Sequence, residues 1–81
     1  MQAGVRPVAP GVFLARRVLR PQHLTPDDAA SAMGLDRSTV HGLLAQEVEV
    51  DNNIAQRLAE FTGTTRQFWL NMQAAANKAI R

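Results

Sequence analysis

A short run in the middle of the chain holds side chains that can form directed hydrogen bonds to another molecule: Arg37, Ser38, Thr39 and His41. A guanidinium donates two parallel hydrogen bonds, which suits a guanine edge, a phosphate or a carboxylate. The apolar residues among and after them, Val40, Leu43 and Leu44, recur at i, i+3 and i+4. This spacing predicts a helix with one buried and one polar face. The polar face either contacts base edges in DNA or only faces solvent.

A second short helix is predicted just before this run. Thr25 can cap it, with Pro26 at the first helical position and two aspartates in the first turn, where negative charge suits the free N–H groups. Gly34 stands where a left-handed residue would end this helix, and Asp36 can cap the next one. Two helices joined by one glycine turn, with a polar outer face, predict a helix-turn-helix.

The N-terminal part of the chain predicts an arm followed by a first helix. Residues 1–9 have no periodic apolar face and are expected to form an extended or mobile arm ahead of a helical domain at residues 10–81. Pro10 can open the first helix, and Pro21 is expected to stop it, because proline pushes the preceding residue out of helical geometry. Three arginines of this helix lie opposite its apolar residues, and they either contact a partner or keep the helix solvated: Arg16, Arg17 and Arg20.

The C-terminal part predicts two more helices. Asp51 can cap the fourth helix, and Gly63 suits its end. A threonine at position 64 or 65 can cap a fifth helix that runs to about Ala79. Residues 45–50 predict a loop with one or both of its valines packed inward. No run shows strand alternation, so the expected fold is all-α with five helices.

The fifth helix has more apolar residues than one small core should bury. A chain of 81 residues buries only about 60% of the surface that its unfolded form exposes, so a partner chain would add to its core. The apolar residues of the fifth helix either complete the core or form the interface of a two-fold dimer, the commonest soluble oligomer. The predicted dimer interface consists of Phe68, Trp69, Met72 and Ala76.

Composition argues against several classes of function. The chain has no cysteine, which rules out disulfides and thiolate metal sites and suits the cytoplasm. Its two histidines lie on different elements, and no phosphate loop or nucleophile motif is present, so no enzyme activity, metal, cofactor or small-molecule substrate is expected. No apolar run approaches the roughly 20 residues of a membrane span, and no signal-peptide pattern opens the chain.

The net charge of +2 is unevenly distributed along the chain. Residues 1–24 hold four arginines and no acidic residue, whereas residues 25–50 hold five acidic residues and one arginine. The segment with the polar helix face is therefore the acidic one, and Glu47 and Glu49 follow that helix directly. Carboxylates beside a phosphate backbone oppose binding.

Three motifs occur in order along the chain: RPVAPG at residues 6–11, RSTV at residues 37–40 followed by Leu43-Leu44, and GTTRQFWLNMQ at residues 63–73. In these motifs and their spacing the chain resembles the HigA antitoxins, which are lambda-repressor-like helix-turn-helix proteins. The resemblance extends from Arg6 to about Ala75. The FWLNMQ segment is its most discriminating part.

The resemblance implies a dimeric antitoxin of a type II toxin–antitoxin module. Such proteins bind and block a RelE-like toxin (HigB), which cleaves mRNA, and they bind the operator DNA of their own operon and repress it. It implies DNA contacts from Arg37, Ser38, Thr39, His41 and Gln46. We place the toxin-binding surface on Arg16, Arg17 and Arg20, or on the N-terminal arm.

One position of the predicted recognition helix departs from the family pattern. The family carries a long polar side chain where Gly42 stands, so one groove-facing position is expected to be empty here. Together with the acidic loop, this keeps an alternative open. The chain would then be a toxin-binding or other protein-interaction module with the helix-turn-helix fold but little or no specific DNA binding.

Overall fold

Helices occupy most of the chain in the computed structural model, which describes residues 8–80 and the side chains of residues 8–78. The first helix, α1, consists of three consecutive segments: Pro10–Phe13, the π-helical Leu14–Leu19, and Arg20–Gln22. It is followed by α2 (Pro26–Met33), α3 (Arg37–Leu44), α4 (Asn52–Thr62) and α5 (Arg66–Ile80). Residues 8–80 contain these five helices and no strand, so the predicted all-α, five-helix fold is confirmed. Most of the predicted arm, residues 1–7, lies outside the described residues.

The prediction that Pro21 stops the first helix is wrong. Arg20, just before it, has helical angles (φ −59°, ψ −50°), and the helix continues to Gln22. In an α-helix the proline ring would meet the carbonyl four residues earlier. Here the Arg20 N–H donates to the Ala15 carbonyl, five residues back, and this wider π-helical turn accommodates the proline. The helix ends instead at His23, which is left-handed with φ 57°.

The caps predicted for α2 are confirmed. Thr25 Oγ1 accepts a hydrogen bond from the Asp28 N–H (3.1 Å), and the Asp28 carboxylate accepts one from the Thr25 N–H (3.2 Å). These two bonds form a complete capping box. Gly34 ends the helix with φ 70°. Asp36 has the extended backbone of an N-cap for α3, but its side chain makes no capping hydrogen bond.

The caps of the last two helices also follow the prediction. Asp51 Oδ1 accepts a hydrogen bond from the Ile54 N–H (2.8 Å), and Thr65 Oγ1 accepts one from the Phe68 N–H (3.1 Å). The loop between α3 and α4 places Val50 in the core, as expected. Its N–H donates to Gln73 Oε1 at 2.9 Å, so the loop is also bonded to α5.

Trp69 is the largest fully buried side chain of the core, with 0% of its surface exposed. Its indole N–H donates to Thr64 Oγ1 at 2.8 Å, which satisfies its one polar group. Phe13 from α1 and Phe68 pack edge-on against it, with ring centroids 5.6 and 5.4 Å away. The other large, fully buried side chains are Leu14, Leu43, Leu58 and Val40.

This packing corrects half of the predicted dimer interface. Trp69 and Ala76, which is 8% exposed, are buried within the single chain, because α5 packs this face against α4 and α1. They are therefore not available to a second copy. Phe68 is 37% exposed and Met72 is partly buried, so only these two of the predicted interface residues remain accessible.

Candidate nucleic-acid interface

The helix α3 has the two faces that its sequence predicts. Val40 and Leu43 are buried, and Leu44 is partly buried against the core. The opposite face consists of residues whose side chains reach solvent, with Thr39 only partly covered: Arg37, Ser38, Thr39 and His41. In a helix-turn-helix, the second helix is the one that enters the major groove. The accessible face of α3 therefore carries four of the residues predicted to contact DNA.

Gly42 does not lie on this polar face, so the prediction of an empty groove-facing position is wrong. Gly42 is buried, and a Cβ atom at this position would lie 2.5 Å from Val48 Cγ2. Its carbonyl accepts hydrogen bonds from the N–H groups of Glu47 (2.7 Å) and Val48 (3.1 Å). The chain turns back here because Gln46 adopts a left-handed conformation, with φ 63°. Glycine suits this position because any larger residue would displace the Val48 side chain, and no local pattern signals this contact.

Asp27 of α2 lies across the polar face of α3 and contacts two of its residues. His41 Nε2 lies 3.0 Å from Asp27 Oδ1, and Arg37 Nη1 lies 3.5 Å from Asp27 Oδ2. The sequence indicated only that Asp27 places negative charge at the start of α2. Its pairing was missed, although the i, i+4 spacing of Arg37 and His41 showed that one acidic group could contact both.

The protonation of this cluster follows from its contacts. The hydrogen bond from His41 and the nearby positive charges lower the pKa of the Asp27 carboxyl below its usual value, although partial desolvation opposes them. The carboxylate is therefore ionised at neutral pH and only accepts hydrogen bonds. His41 Nε2 must then be the donor. All three side chains are more than half exposed, so these contacts are weak and exchangeable.

Comparison with known proteins identifies the family to which this chain belongs. No family model matches the chain. The antitoxin HigA-1 of Vibrio cholerae is 39% identical over 72 residues, which are 89% of this chain and 68% of that protein. The chain belongs to the HigA antitoxin family. The HTH-type transcriptional regulator YbaQ of Escherichia coli is 34% identical over 76 residues, 94% of this chain and 67% of the relative.

A solved structure of a HigA protein supports the same assignment. The Pseudomonas aeruginosa antitoxin HigA, determined with the higBA promoter, superimposes with a TM-score of 0.87 at 28% identity. The superposition covers 93% of this chain and 82% of the other. The recognition of a lambda-repressor-like HigA helix-turn-helix from sequence motifs is thereby confirmed.

In this HigA-family chain, the other predicted site residues lie apart from the Asp27 cluster. Gln46 is exposed in the turn after α3, and among residues 8–78 no hydrogen bond joins its side chain to the other four predicted DNA contacts. The three arginines of the predicted toxin surface are exposed on α1, and within the described part of the chain none forms an ion pair: Arg16, Arg17 and Arg20.

Across the described helices, none has both the length and the apolar character needed to cross a membrane. In the same part of the chain, no three histidine or acidic side chains lie close enough together to hold a metal ion. The similar proteins are an antitoxin and a transcriptional regulator rather than enzymes.

Proposed function

We propose that this HigA-family chain is the antitoxin of a toxin–antitoxin module, which blocks a RelE/HigB-like, mRNA-cleaving toxin and represses its own operon as a dimer on operator DNA. The observation that carries the proposal is the accessible polar face of α3 on a fold that matches a HigA protein determined with promoter DNA. Both activities take place in the cytoplasm, where the operon and the mRNA are found.

Operator binding needs contacts of two kinds. Phosphate contacts orient the protein on the duplex, and contacts to base edges select the sequence. Arg37 is the best candidate for a base contact, because a guanidinium pairs with O6 and N7 of guanine through two hydrogen bonds. Ser38, Thr39 and His41 would add shorter contacts beside it, and Gln46 would contact DNA from the turn after α3.

The acidic loop after α3 is the main argument against DNA binding. Glu47 and Glu49 are both exposed and would repel phosphate. A protein-interaction module without specific DNA binding is therefore the second candidate. The acidic Asp27 is a smaller obstacle than its sequence position implied, because the Arg37 guanidinium partly neutralises its charge.

Arg37→Ala should reduce the preference for the operator over a scrambled duplex by about 1–3 kcal/mol, the range for one bidentate base contact. The measurement is fluorescence anisotropy with the DNA upstream of the chain's own gene, over a series of salt concentrations. Arg66→Ala is the matched control, because Arg66 is an exposed arginine on α5, away from the polar face. Equal affinity of the wild-type chain for both duplexes would favour the second candidate.

The dimer of this proposal would use the part of α5 that the core leaves accessible. Among the described side chains of this helix, Phe68 is the most exposed large apolar one, and Met72, one turn further along the same face, is partly buried. A C2 interface places the same patch of both copies in contact, so a single accessible apolar patch is sufficient. Burial of this patch would enlarge the small core of each copy.

Toxin neutralisation is tested by co-expression with a small RelE-like protein, which we expect the neighbouring gene to encode. The wild-type chain should restore growth and co-purify with that protein. Replacement of Arg16, Arg17 and Arg20 by glutamate should abolish both effects, because it reverses the charge of the proposed toxin surface. Arg37→Ala should retain both. Loss of rescue with Arg37→Ala, or full rescue by the triple variant, would place the toxin contact elsewhere.

A further inference from the structure

Asp27 connects the two helices of the helix-turn-helix across the face proposed to meet DNA. Its Oδ1 accepts a hydrogen bond from His41 Nε2 at 3.0 Å, and its Oδ2 faces Arg37 Nη1 at 3.5 Å. Asp27 lies in the first turn of α2, whereas Arg37 and His41 lie one turn apart on α3. One carboxylate on a neighbouring helix therefore holds the two largest polar side chains of the recognition face.

We propose that Asp27 is a positioning residue that determines the base preference of α3 through Arg37 and His41, an inference that rests on the proposed operator binding. It acts on His41 by selecting the tautomer. Because a carboxylate only accepts, Nε2 carries the proton of the neutral ring, and Nδ1 is left as an acceptor. An acceptor pairs with the amino group of adenine or cytosine and not with O6 or N7 of guanine.

Asp27 acts on Arg37 by restricting its direction. The guanidinium has five N–H donors in a rigid plane, and only Nη1 faces Asp27. The remaining donors stay available for a guanine edge. The ion pair biases the direction of the Arg37 side chain in the free protein. Because the pair is exposed and long, it can be exchanged for a contact to DNA.

The same carboxylate weakens binding to any DNA sequence. A negative charge on the DNA-facing surface repels phosphates, and phosphate contacts supply most of the sequence-independent affinity. Asp27 therefore has two opposite effects. It lowers affinity for all duplexes, and it raises the discrimination between the operator and other sequences.

Asp27→Asn should separate these two effects. The amide has no charge and can donate as well as accept, so it neither attracts Arg37 nor imposes one tautomer on His41. We expect affinity for a scrambled duplex to rise about threefold because one repulsive charge is lost. The ratio of operator to scrambled affinity should fall about tenfold, within the range for one specific base contact. Both are measured by fluorescence anisotropy at one fixed salt concentration.

Asp28→Asn is the matched control. Asp28 is the adjacent acid in the same helical turn, and its side chain bonds to the Thr25 N–H rather than to α3. An asparagine oxygen can keep this capping bond. The control removes the same charge, so it should raise affinity for the scrambled duplex equally but leave the discrimination ratio unchanged. An equal fall in the ratio for both variants would show a pure charge effect and overturn the inference.

The second readout needs no DNA. Ring-nitrogen chemical shifts of His41 report its tautomer at about pH 8, where an ordinary imidazole is neutral. The wild-type and Asp28→Asn chains should show the Nε2–H form, and Asp27→Asn a mixture. The inference alone fails if the wild-type chain discriminates the operator but Asp27→Asn changes neither the tautomer nor the ratio. If the wild-type chain does not discriminate, the proposed function fails and the inference fails with it.

Discussion

Trp69→Ala should lower the free energy of unfolding by about 3–5 kcal/mol, the range for removing a buried aromatic side chain. Trp69 is completely enclosed by its own chain. The substitution also removes the indole N–H that donates to Thr64 Oγ1, and the edge contacts with Phe13 and Phe68. Small domains are stable by only about 5–15 kcal/mol, so this loss is a large fraction of the total stability. Urea denaturation followed by circular dichroism measures it.

Phe68→Ala is the matched control for Trp69→Ala. Phe68 is the neighbouring aromatic residue on α5 but is 37% exposed. Its truncation should cost less stability in the monomer and should instead weaken dimerisation, which analytical ultracentrifugation measures. If Trp69→Ala changed only the dimerisation and not the stability of the monomer, Trp69 would belong to the interface after all.

Gly11→Ala should destabilise the fold by about 3 kcal/mol, the upper end of the range for overpacked sites. A Cβ atom at Gly11 would overlap the carbonyl oxygen of Leu43 and lie 2.9 Å from its carbonyl carbon. These are backbone atoms of α3, so no side-chain rotation can relieve the clash. The start of α1 would have to move away from the end of α3. Urea denaturation measures the loss in this variant too.

Gly63→Ala is the comparison that isolates this effect. In the described part of the chain, no atom lies within 4 Å of a Cβ placed at Gly63, but the φ of Gly63, 71°, is left-handed. Alanine there should cost only about 1 kcal/mol, from backbone strain alone. If Gly11→Ala cost no more than Gly63→Ala, the close contact between α1 and α3 would not exist in solution.

The helix ends of this protein were predictable because capping is local. Thr25, Gly34, Asp51 and Gly63 each act on backbone groups three to five residues away, and each lies where its residue type predicts. Pro21 shows the limit of such reasoning. The rule that proline ends a helix assumes α-helical hydrogen bonding, and the π-helical segment before it changes the spacing of the carbonyls.

The errors at Gly42 and Trp69 have a common origin. Helical periodicity indicates which residues share a face, but not what packs on that face. The polar side of α3 was correctly predicted, whereas the burial of Gly42 depends on the loop that returns onto it. The apolar residues on α5 were recognised, but their division between core and surface depended on Phe13 and on the position of α4.

The sequence by itself determined the all-helical fold, the helix-turn-helix and the HigA family, because these depend on local caps, periodicity and motifs. Only the tertiary structure decided that Trp69 is a core residue, that Gly42 is covered by a loop, and that Asp27 holds His41 from 14 residues away. The burial of Trp69 and the contact of Asp27 with His41 depend on the distance between helices, and the cover on Gly42 depends on the turn that brings Val48 back onto α3. The packing of the helices sets that distance, and no single stretch of the chain encodes it.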